Sequence, residues 1–395
     1  MKRLAILGST GSIGRQCLSV VEALPNRFGV VAFAAGANIE ELVGQIERHH
    51  PEVVSVGDAK RVDGLSQLLR EKGIAVPEIH HGREGMLAVG THAKADIVVS
   101  AAVGVVGLEA TYEAVKLGKT VALSNKEVLV AAGELVMAAA KKAGRELLPV
   151  DSEHNAVHQC LRGGTREEVR RLVLTASGGP FRKTPLAALA SVSPEQALAH
   201  PNWRMGNRIT IDSATMMNKG FEVIEARWLF GMRPDQIDVV IHPQSTIHSM
   251  VEFVDGSVLA QLGPTDMRVP IQYALTYPER LASKDVALDW TRLKRLDFEK
   301  ASTRRFPCLR LAREAMKKGG SLPCALNAAD EVAVAAFLQQ GLPFLGIPQV
   351  IERVLGSMPR TRFEKMDDVL AADAEARRIA REEVAKLAVA AAAAS

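Results

Sequence analysis

The chain opens on an apolar run, Leu4-Ala5-Ile6-Leu7, then a glycine-punctuated turn, then apolar residues at Cys17, Leu18, Val21 and Leu24. The run predicts a buried strand, and the spacing after it predicts one face of a helix. The same rhythm continues. Val30 to Ala35, Val53 to Val56, Asp96 to Ser100 and Thr120 to Ser124 are short apolar runs that predict strands. Ile39 to His49, Val62 to Lys72, Leu108 to Lys116 and Val128 to Ala143 carry helical periodicity. Strands alternating with helices predict a parallel sheet covered on both faces. Leu147 to Val150 adds one more strand, and the following Ala156 to Leu161 reads as helix.

Beyond Val150 the pattern changes. Arg171 to Ala176, Arg208 to Asp212 and Ile237 to Ile241 read as strands. Thr246 to Val254 and Ser257 to Leu262 read as a hairpin turning at Asp255-Gly256. These last strands are expected to be exposed and free to pair with a second subunit. Between Ser177 and Gly206 lies a long stretch with prolines at 180, 185, 194 and 201 and little regular pattern. Such a stretch within a compact domain suggests a lid. Trp203 and Met205, within His200-Pro201-Asn202-Trp203-Arg204-Met205-Gly206, would form its apolar underside. Leu293 to Arg305 is charged and connecting, whereas Pro307 to Lys318, Ala325 to Gln339 and Met366 to Ala394 are helical. The expected fold is α/β: an N-terminal Rossmann-type parallel sheet, a central α/β catalytic domain and a C-terminal helical domain. The expected divisions are 1–150 for the Rossmann-type domain, 151–290 for the catalytic domain with its lid at 177–206, 291–311 for the connection and 312–395 for the helices.

Composition narrows the function. Of 395 residues 47% are apolar, enough for large cores. The formal charge of +4 is too small and too dispersed to suggest a nucleic-acid partner, but suits an anionic small molecule. Cys17, Cys160, Cys308 and Cys324 are far apart, which gives no disulfide framework and no zinc knuckle and fits a reducing cytoplasm. The apolar run after Met1-Lys2-Arg3 is too short for a secretion signal, and no stretch is long enough to span a membrane. The alanine-rich end, Ala388 to Ser395, frays or extends the last helix.

Candidate chemistry sits at the strand ends. Gly8-Ser9-Thr10-Gly11-Ser12-Ile13-Gly14 spaces its glycines as Gly-x-x-Gly-x-x-Gly between a strand and a helix, where a pyrophosphate can approach the helix N-terminus. The turn holds no lysine, so it is not a phosphate loop of the Walker type. The second strand ends Ala35-Gly36-Ala37-Asn38, without the acidic residue that NAD enzymes offer to the ribose; this leaves room for a 2′-phosphate. Asn125-Lys126-Glu127 stands where cofactor and substrate should meet; the plainer alternative for Lys126 and Glu127 is a solvated first helical turn.

Asp151 and Glu153 lie one residue apart at a strand end. They face one side if the chain stays extended, and their repulsion invites a cation. The plainer alternative is a helix cap by Asp151 or Ser152. His154 and His158 have zinc-chelating spacing without the intervening glutamate of a zinc protease, so a buried structural histidine is the simpler reading. Farther on, Ser213 reads as an N-cap, with Asn218, Lys219 and Glu222 on one helical face. They read either as a surface Lys–Glu pair or as a phosphate cradle with a third carboxylate. Three hard oxygen ligands would suit Mg²⁺ or Mn²⁺. His248 alternates with apolar neighbours and reads as structural; Asp330 and Glu331 read as solvated or capping.

Together these stretches resemble one family, 1-deoxy-D-xylulose 5-phosphate reductoisomerase. The resemblance rests on Gly8 to Gly14, Ser124 to Glu127, Pro149 to Asn155, Ser177 to Phe181, His200 to Gly206, Asp212 to Glu222, Ile241 to Met250 and Gly256 to Arg268, and reaches Asn327 to Glu331. It implies an enzyme that uses NADPH and Mg²⁺ or Mn²⁺ to convert 1-deoxy-D-xylulose 5-phosphate to 2-C-methyl-D-erythritol 4-phosphate, in the non-mevalonate route to isoprenoids. It further implies a cytoplasmic homodimer joined through the central domain. By motif, it implies Asp151, Glu153 and Glu222 as metal ligands. It assigns substrate contact to Lys126, Ser152, Glu153, Ser177, His200, Ser213, Asn218, Lys219 and Glu222, with catalytic roles for Lys126, Glu153, His200 and Lys219. It assigns the NADPH site to Thr10, Gly11, Ser12, Ile13, Gly36, Asn38, Asn125, Glu127 and Gly206. Family members often carry a basic residue, which helps to hold the 2′-phosphate, where Ala37 stands in this chain. Two rivals are an NADP-dependent dehydrogenase of another small hydroxy or amino acid and a metal-dependent sugar-phosphate lyase or sensor. The first leaves the three carboxylates unexplained; an absence of NADPH affinity would favour the second, which lacks nicotinamide chemistry.

Overall fold

A computed structural model describes residues 1–203, 205–283 and 286–394. Arg204, part of the expected lid, and Ser395 of the alanine-rich end lie outside the described residues. The chain forms two compact units. One comprises Met1–Val128, Val136–Asn155 and Asp266–Val286; the other comprises Leu129–Leu135, Ala156–Thr265 and Ala287–Ser395.

The first unit is built on seven strands: β1 (Lys2–Leu7), β2 (Phe28–Ala34), β3 (Val53–Val56), β4 (Glu78–His81), β5 (Ile97–Ser100), β6 (Thr120–Leu123) and β7 (Leu147–Pro149). Their order is β4-β3-β2-β1-β5-β6-β7, and every pair is parallel. The winding reverses between β1 and β5, which opens a crevice at the carboxyl ends of those strands. Leu4, Ile6, Phe33 and Val54 are fully buried and pack with Leu18, Leu42, Ile46, Leu65 and Leu69 from the helices. Ile271 and Leu275 of the helix Arg268–Thr276 join this core from far along the chain. The edge strand β4 was not expected. Glu78 and His81 are exposed, so the strand has no apolar run to betray it.

The second unit holds five strands: β8 (Val169–Ala176), β9 (Ile237–Ile241), β10 (Ile247–Phe253), β11 (Val258–Leu262) and β12 (Glu299–Lys300). Their order is β11-β10-β8-β9-β12, with only β8 and β9 parallel. The expected hairpin turns at Asp255-Gly256, where Gly256 takes φ 87° and Asp255 accepts from the Ser257 amide. Four helices follow: Pro307–Lys318, Leu322–Leu338, Gly346–Ser357 and Met366–Ala394. Their Leu311, Leu326, Phe337, Val350 and Ala376 share one continuous core with Leu172 and Val251 of the sheet and Phe221 of the helix Met217–Phe230. Among the described residues no helix is long and apolar enough to cross a membrane.

Four local expectations are corrected. Arg208 to Asp212 is not a strand but part of the helix Asn207–Thr215. The β-branched Ile209, Thr210 and Ile211 suggested a strand, but Ile211 and Ala214 are buried on a helical face and the Thr210 hydroxyl bonds back to the Gly206 carbonyl. Ser213 therefore sits near the end of a helix and caps nothing; Met216, with φ 62°, separates this helix from Met217–Phe230. The chain is not extended through Glu153, because helix Ser152–Leu161 begins directly after Asp151. Asp330 is neither solvated nor a cap; it is fully buried within Leu322–Leu338.

Candidate active site

In the first unit the glycine turn follows β1. Gly8 has φ 89°, and a Cβ there would lie 2.5 Å from the Ala101 carbonyl oxygen; one on Gly14 would lie 2.4 Å from that of Gly8. Strand, turn and helix can close only with glycine at both places. The helix Ser12–Ala23 starts at Gly11 with no side-chain cap, leaving its N-terminus to an anion. Beyond β2, Gly36, Ala37 and Asn38 are exposed, and the Asn38 side chain accepts from the Glu41 amide to cap the next helix. Asn125 is nearly buried. Its Nδ2 donates to the carbonyls of Ala102 and Gly104, bracing the loop after β5, while its buried Oδ1 has no hydrogen-bond partner.

Lys126 and Asp151 follow β6 and β7, adjacent strands, and form a buried ion pair. Burial by itself would raise the Asp151 carboxyl, but Lys126, His154 and a hydrogen bond with Glu153 together outweigh it and hold the group well below the usual carboxylate range. Glu153, in the first helical turn, is in hydrogen-bonding contact with Asp151, with carboxyl oxygens of the two within 4.8 Å of each other. Ser152 Oγ donates to Glu153 Oε2 at 2.6 Å. The turn is braced by Asn155, whose Nδ2 donates to the Pro149 carbonyl at 2.8 Å and the Pro270 carbonyl at 3.3 Å. Two acids and a lysine in near-dry surroundings form a site for a cation or for proton movement.

The second unit holds the other group. On the first turns of Met217–Phe230, Asn218 Nδ2 donates to Glu222 Oε1 at 2.5 Å, and Lys219 is ion-paired to the other carboxylate oxygen. Glu222 is fully buried and Lys219 nearly so, which excludes the surface-pair reading. The expected helical face does bring the three together.

Ser177 ends β8. Gly178 and Gly179, with φ 83° and 66°, turn the chain so tightly that a Cβ on Gly179 would lie 2.7 Å from the Ser213 carbonyl oxygen. This close approach brings the Ser177 turn against the end of the helix that carries Ser213. His200 Nδ1 accepts from the amides of Asn202 and Trp203, at 3.2 and 3.0 Å. The ring proton therefore sits on Nε2, which donates to Ser177 Oγ at 3.0 Å; burial, which lowers the imidazole pKa, keeps the ring neutral. Ser177 Oγ also accepts from the Gly179 amide at 3.2 Å, so the hydroxyl proton is directed elsewhere.

Asn202 was not anticipated. Its Nδ2 donates to the Pro243 carbonyl at 2.6 Å and Ser245 Oγ at 3.0 Å, and the neighbouring Trp203 ring lies 6.3 Å from that of His248. The stretch before it is less irregular than expected, with short helices at Leu186–Ser191 and Pro194–Leu198. An Asn beside a Trp carries no local signal of what it anchors to. His248 is buried, and its Nε2 meets the Pro264 carbonyl at 3.3 Å.

A dinucleotide-type glycine turn on a doubly wound sheet, with buried lysine–carboxylate groups, defines the class: a Rossmann-type α/β oxidoreductase. The chain belongs to the 1-deoxy-D-xylulose 5-phosphate reductoisomerase family. The family model of that name matches residues 4–133, its C-terminal domain model matches 147–230, and the DXP reductoisomerase C-terminal domain model matches 262–379. The reductoisomerase of Solibacter usitatus is 52% identical over 385 residues, 97% of each chain. That of Pelotomaculum thermopropionicum is 52% identical over 377 residues, 95% of this chain and 97% of the other. Among solved structures, the Zymomonas mobilis reductoisomerase in complex with NADPH superposes with a TM-score of 0.90 at 42% identity, covering 97% of this chain and 99% of that one. A DOX-P reductoisomerase in complex with NADPH, fosmidomycin and magnesium gives 0.91 at 39% identity, covering 97% and 98%.

Proposed function

We propose that this protein converts 1-deoxy-D-xylulose 5-phosphate to 2-C-methyl-D-erythritol 4-phosphate with NADPH and a divalent cation. One observation carries the reading of the site: each buried candidate metal carboxylate is paired with a lysine expected to touch substrate, Asp151 with Lys126 and Glu222 with Lys219. Asp151, Glu153 and Glu222 would hold Mg²⁺ or Mn²⁺, since all offer hard oxygen donors. The bound cation would supply Lewis-acid polarisation of the substrate carbonyl, and NADPH the hydride.

The chain's own residues do the rest. Glu153, oriented by Ser152, takes the proton of a substrate hydroxyl, and Lys126 donates to a substrate oxygen. Ser177, Ser213, Asn218 and Lys219 bind the phosphate. His200 orients the Ser177 hydroxyl so that its proton faces that anion. Trp203, anchored through its neighbour Asn202, excludes water. Thr10, Gly11, Ser12 and Ile13 take the pyrophosphate at the uncapped helix N-terminus, with Gly36, Asn38, Asn125, Glu127 and Gly206 completing the NADPH site.

The division into a NADPH-binding part at 1–150, a catalytic part at 151–290 with a lid at 177–206, a connection at 291–311 and a helical part at 312–395 draws support from the three successive family-model matches. A homodimer through the five-stranded sheet is supported by its edge strand β11, where Val258 and Leu259 are half exposed. A cytoplasmic location is supported by four free, buried cysteines.

The test is NADPH oxidation by the purified chain with substrate and each divalent ion in turn. Turnover that requires both substrate and cation, and yields the branched product, is the expected result. Turnover without added cation in the presence of a chelator would favour an ordinary dehydrogenase instead.

A further inference from the structure

Arg208 is the second residue of the helix Asn207–Thr215, two residues after Gly206 at the lid's end, and its guanidinium is the hub of a largely buried network in the second unit. Nη1 reaches Glu331 Oε1 at 2.9 Å, Nη2 reaches Asn327 Oδ1 at 2.8 Å and Asp330 Oδ2 at 3.4 Å, and Nε lies 3.6 Å from Asp212. The Phe221 ring lies beneath it at 5.8 Å. The network continues outward: Arg377 of the last helix pairs with Glu331 at 2.7 Å and with Asp373 at 2.6 Å. One helix of the C-terminal region, Leu322–Leu338, thus grips this residue at the lid's end, and the last helix braces that helix through Glu331.

Asp330 is the unusual member. It is fully buried, its Oδ1 receives no donor, and its carboxyl is in contact with that of Asp212. Two carboxyl groups can hydrogen-bond only by sharing a proton. Asp212 directly precedes Ser213, the residue that the Gly179 turn approaches. We propose that Arg208 and the Asp212–Asp330 carboxyl pair are positioning residues: they lock the helix Asn207–Thr215 to the C-terminal helices, and so fix both Ser213 and the end of the lid for binding of the substrate phosphate.

This assignment rests on the functional reading above only for its kinetic consequences. The groups facing the pair are Arg208, Glu331 and Asn327, with the Thr215 hydroxyl on the helix of Asp212 and the Cys308 thiol on the neighbouring helix Pro307–Lys318. Burial pushes the Asp330 carboxyl up to about 6, so its proton is present below that pH and lost above it. An amide at this position would donate to Asp212 at every pH.

The experiment uses the full chain with NADPH and Mg²⁺. In Arg208→Met, KM for 1-deoxy-D-xylulose 5-phosphate should rise about tenfold or more, the loss of a charge-assisted contact network, with NADPH affinity within about twofold of the parent. Arg208→Lys should recover part of the loss. The ratio of parent KM to Asp330→Asn KM cancels ionisation of the substrate phosphate, and should rise as pH increases through about 6. Hydrogen exchange of lid peptides, which needs no turnover, should quicken in Arg208→Met. Should that variant not fold, Glu331→Gln should show the same quickening in weaker form. Unchanged lid exchange in the folded variants would overturn the proposal, even if the chain turned over no substrate. A parent enzyme with no activity and quickened lid exchange in the variants would instead refute the functional reading alone. A flat KM ratio across pH would remove the shared proton from the proposal.

Discussion

His200 donates its Nε2 proton to Ser177 Oγ at 3.0 Å because two backbone amides already occupy its Nδ1. A histidine fixed in this way is an orienting group and not a base. Removing the hydroxyl in Ser177→Ala should cost about 1.5–3 kcal/mol, the usual worth of a hydrogen bond to a charged group. KM for the phosphorylated substrate should rise roughly ten- to hundredfold, with NADPH affinity unchanged; steady-state kinetics and NADPH fluorescence titration read the two separately.

The same pair gives a stability prediction with a definite sign. Burial depresses the folded pKa of His200 below its ordinary value, so the unfolded chain takes up the proton first. Its contribution is intact above the ordinary imidazole range and is lost as pH falls through it. Thermal melts between about pH 7.5 and 5 should show a steeper loss for the parent than for His200→Asn. Parallel curves would mean that the imidazole is not held neutral.

Glu222 is buried against Lys219 in the second unit, whereas the glycine turn belongs to the first. Glu222→Gln should reduce turnover at least about a hundredfold while NADPH binding stays within about twofold. Breaking a buried pair also destabilises, by about 3–5 kcal/mol, so a melt must first establish that the variant is folded. Loss of NADPH affinity in a folded variant would move Glu222 out of the metal site.

Trp203 rests near His248, and its neighbour Asn202 is tied to Pro243 and Ser245. Trp203→Ala removes the apolar underside while leaving the tie. Substrate KM should rise about five- to tenfold, with a smaller change in kcat. Unchanged kinetics would argue against a lid.

Ala37 is exposed three residues after β2, beside the expected ribose site. Ala37→Lys places a cation where a 2′-phosphate would lie. An exposed charge pair is worth up to about 1 kcal/mol, so KM for NADPH should fall by up to about fivefold and KM for NADH should not. An equal effect on both cofactors would show that Ala37 does not sense the phosphate.

Much of this was legible along the chain because it is local. The first unit repeats strand, turn and helix, and each repeat declares itself within about ten to fifteen residues through period and glycine placement. Asn218, Lys219 and Glu222 were predictable as one group because helical geometry puts i, i+3 and i+4 side by side. The stretch Arg208 to Asp212 misled because β-branched residues favour strands unless something buries them otherwise. Here Ile211 and the Thr210–Gly206 bond decide for a helix.

The sequence by itself determined the order of elements, the glycine turn, the hairpin and the candidate carboxylates, since each depends on residues a few positions apart. Only the tertiary structure decided that Lys126 pairs with Asp151, that His200 aims Ser177, and that Asp330 is buried against Arg208 and Asp212. Those relationships join residues separated by 23 to 122 positions in the cases where hydrogen bonds connect them, such as His200 with Ser177 and Asp330 with Arg208. A side chain's charge state and direction follow from what surrounds it in space, and no period along the chain encodes that.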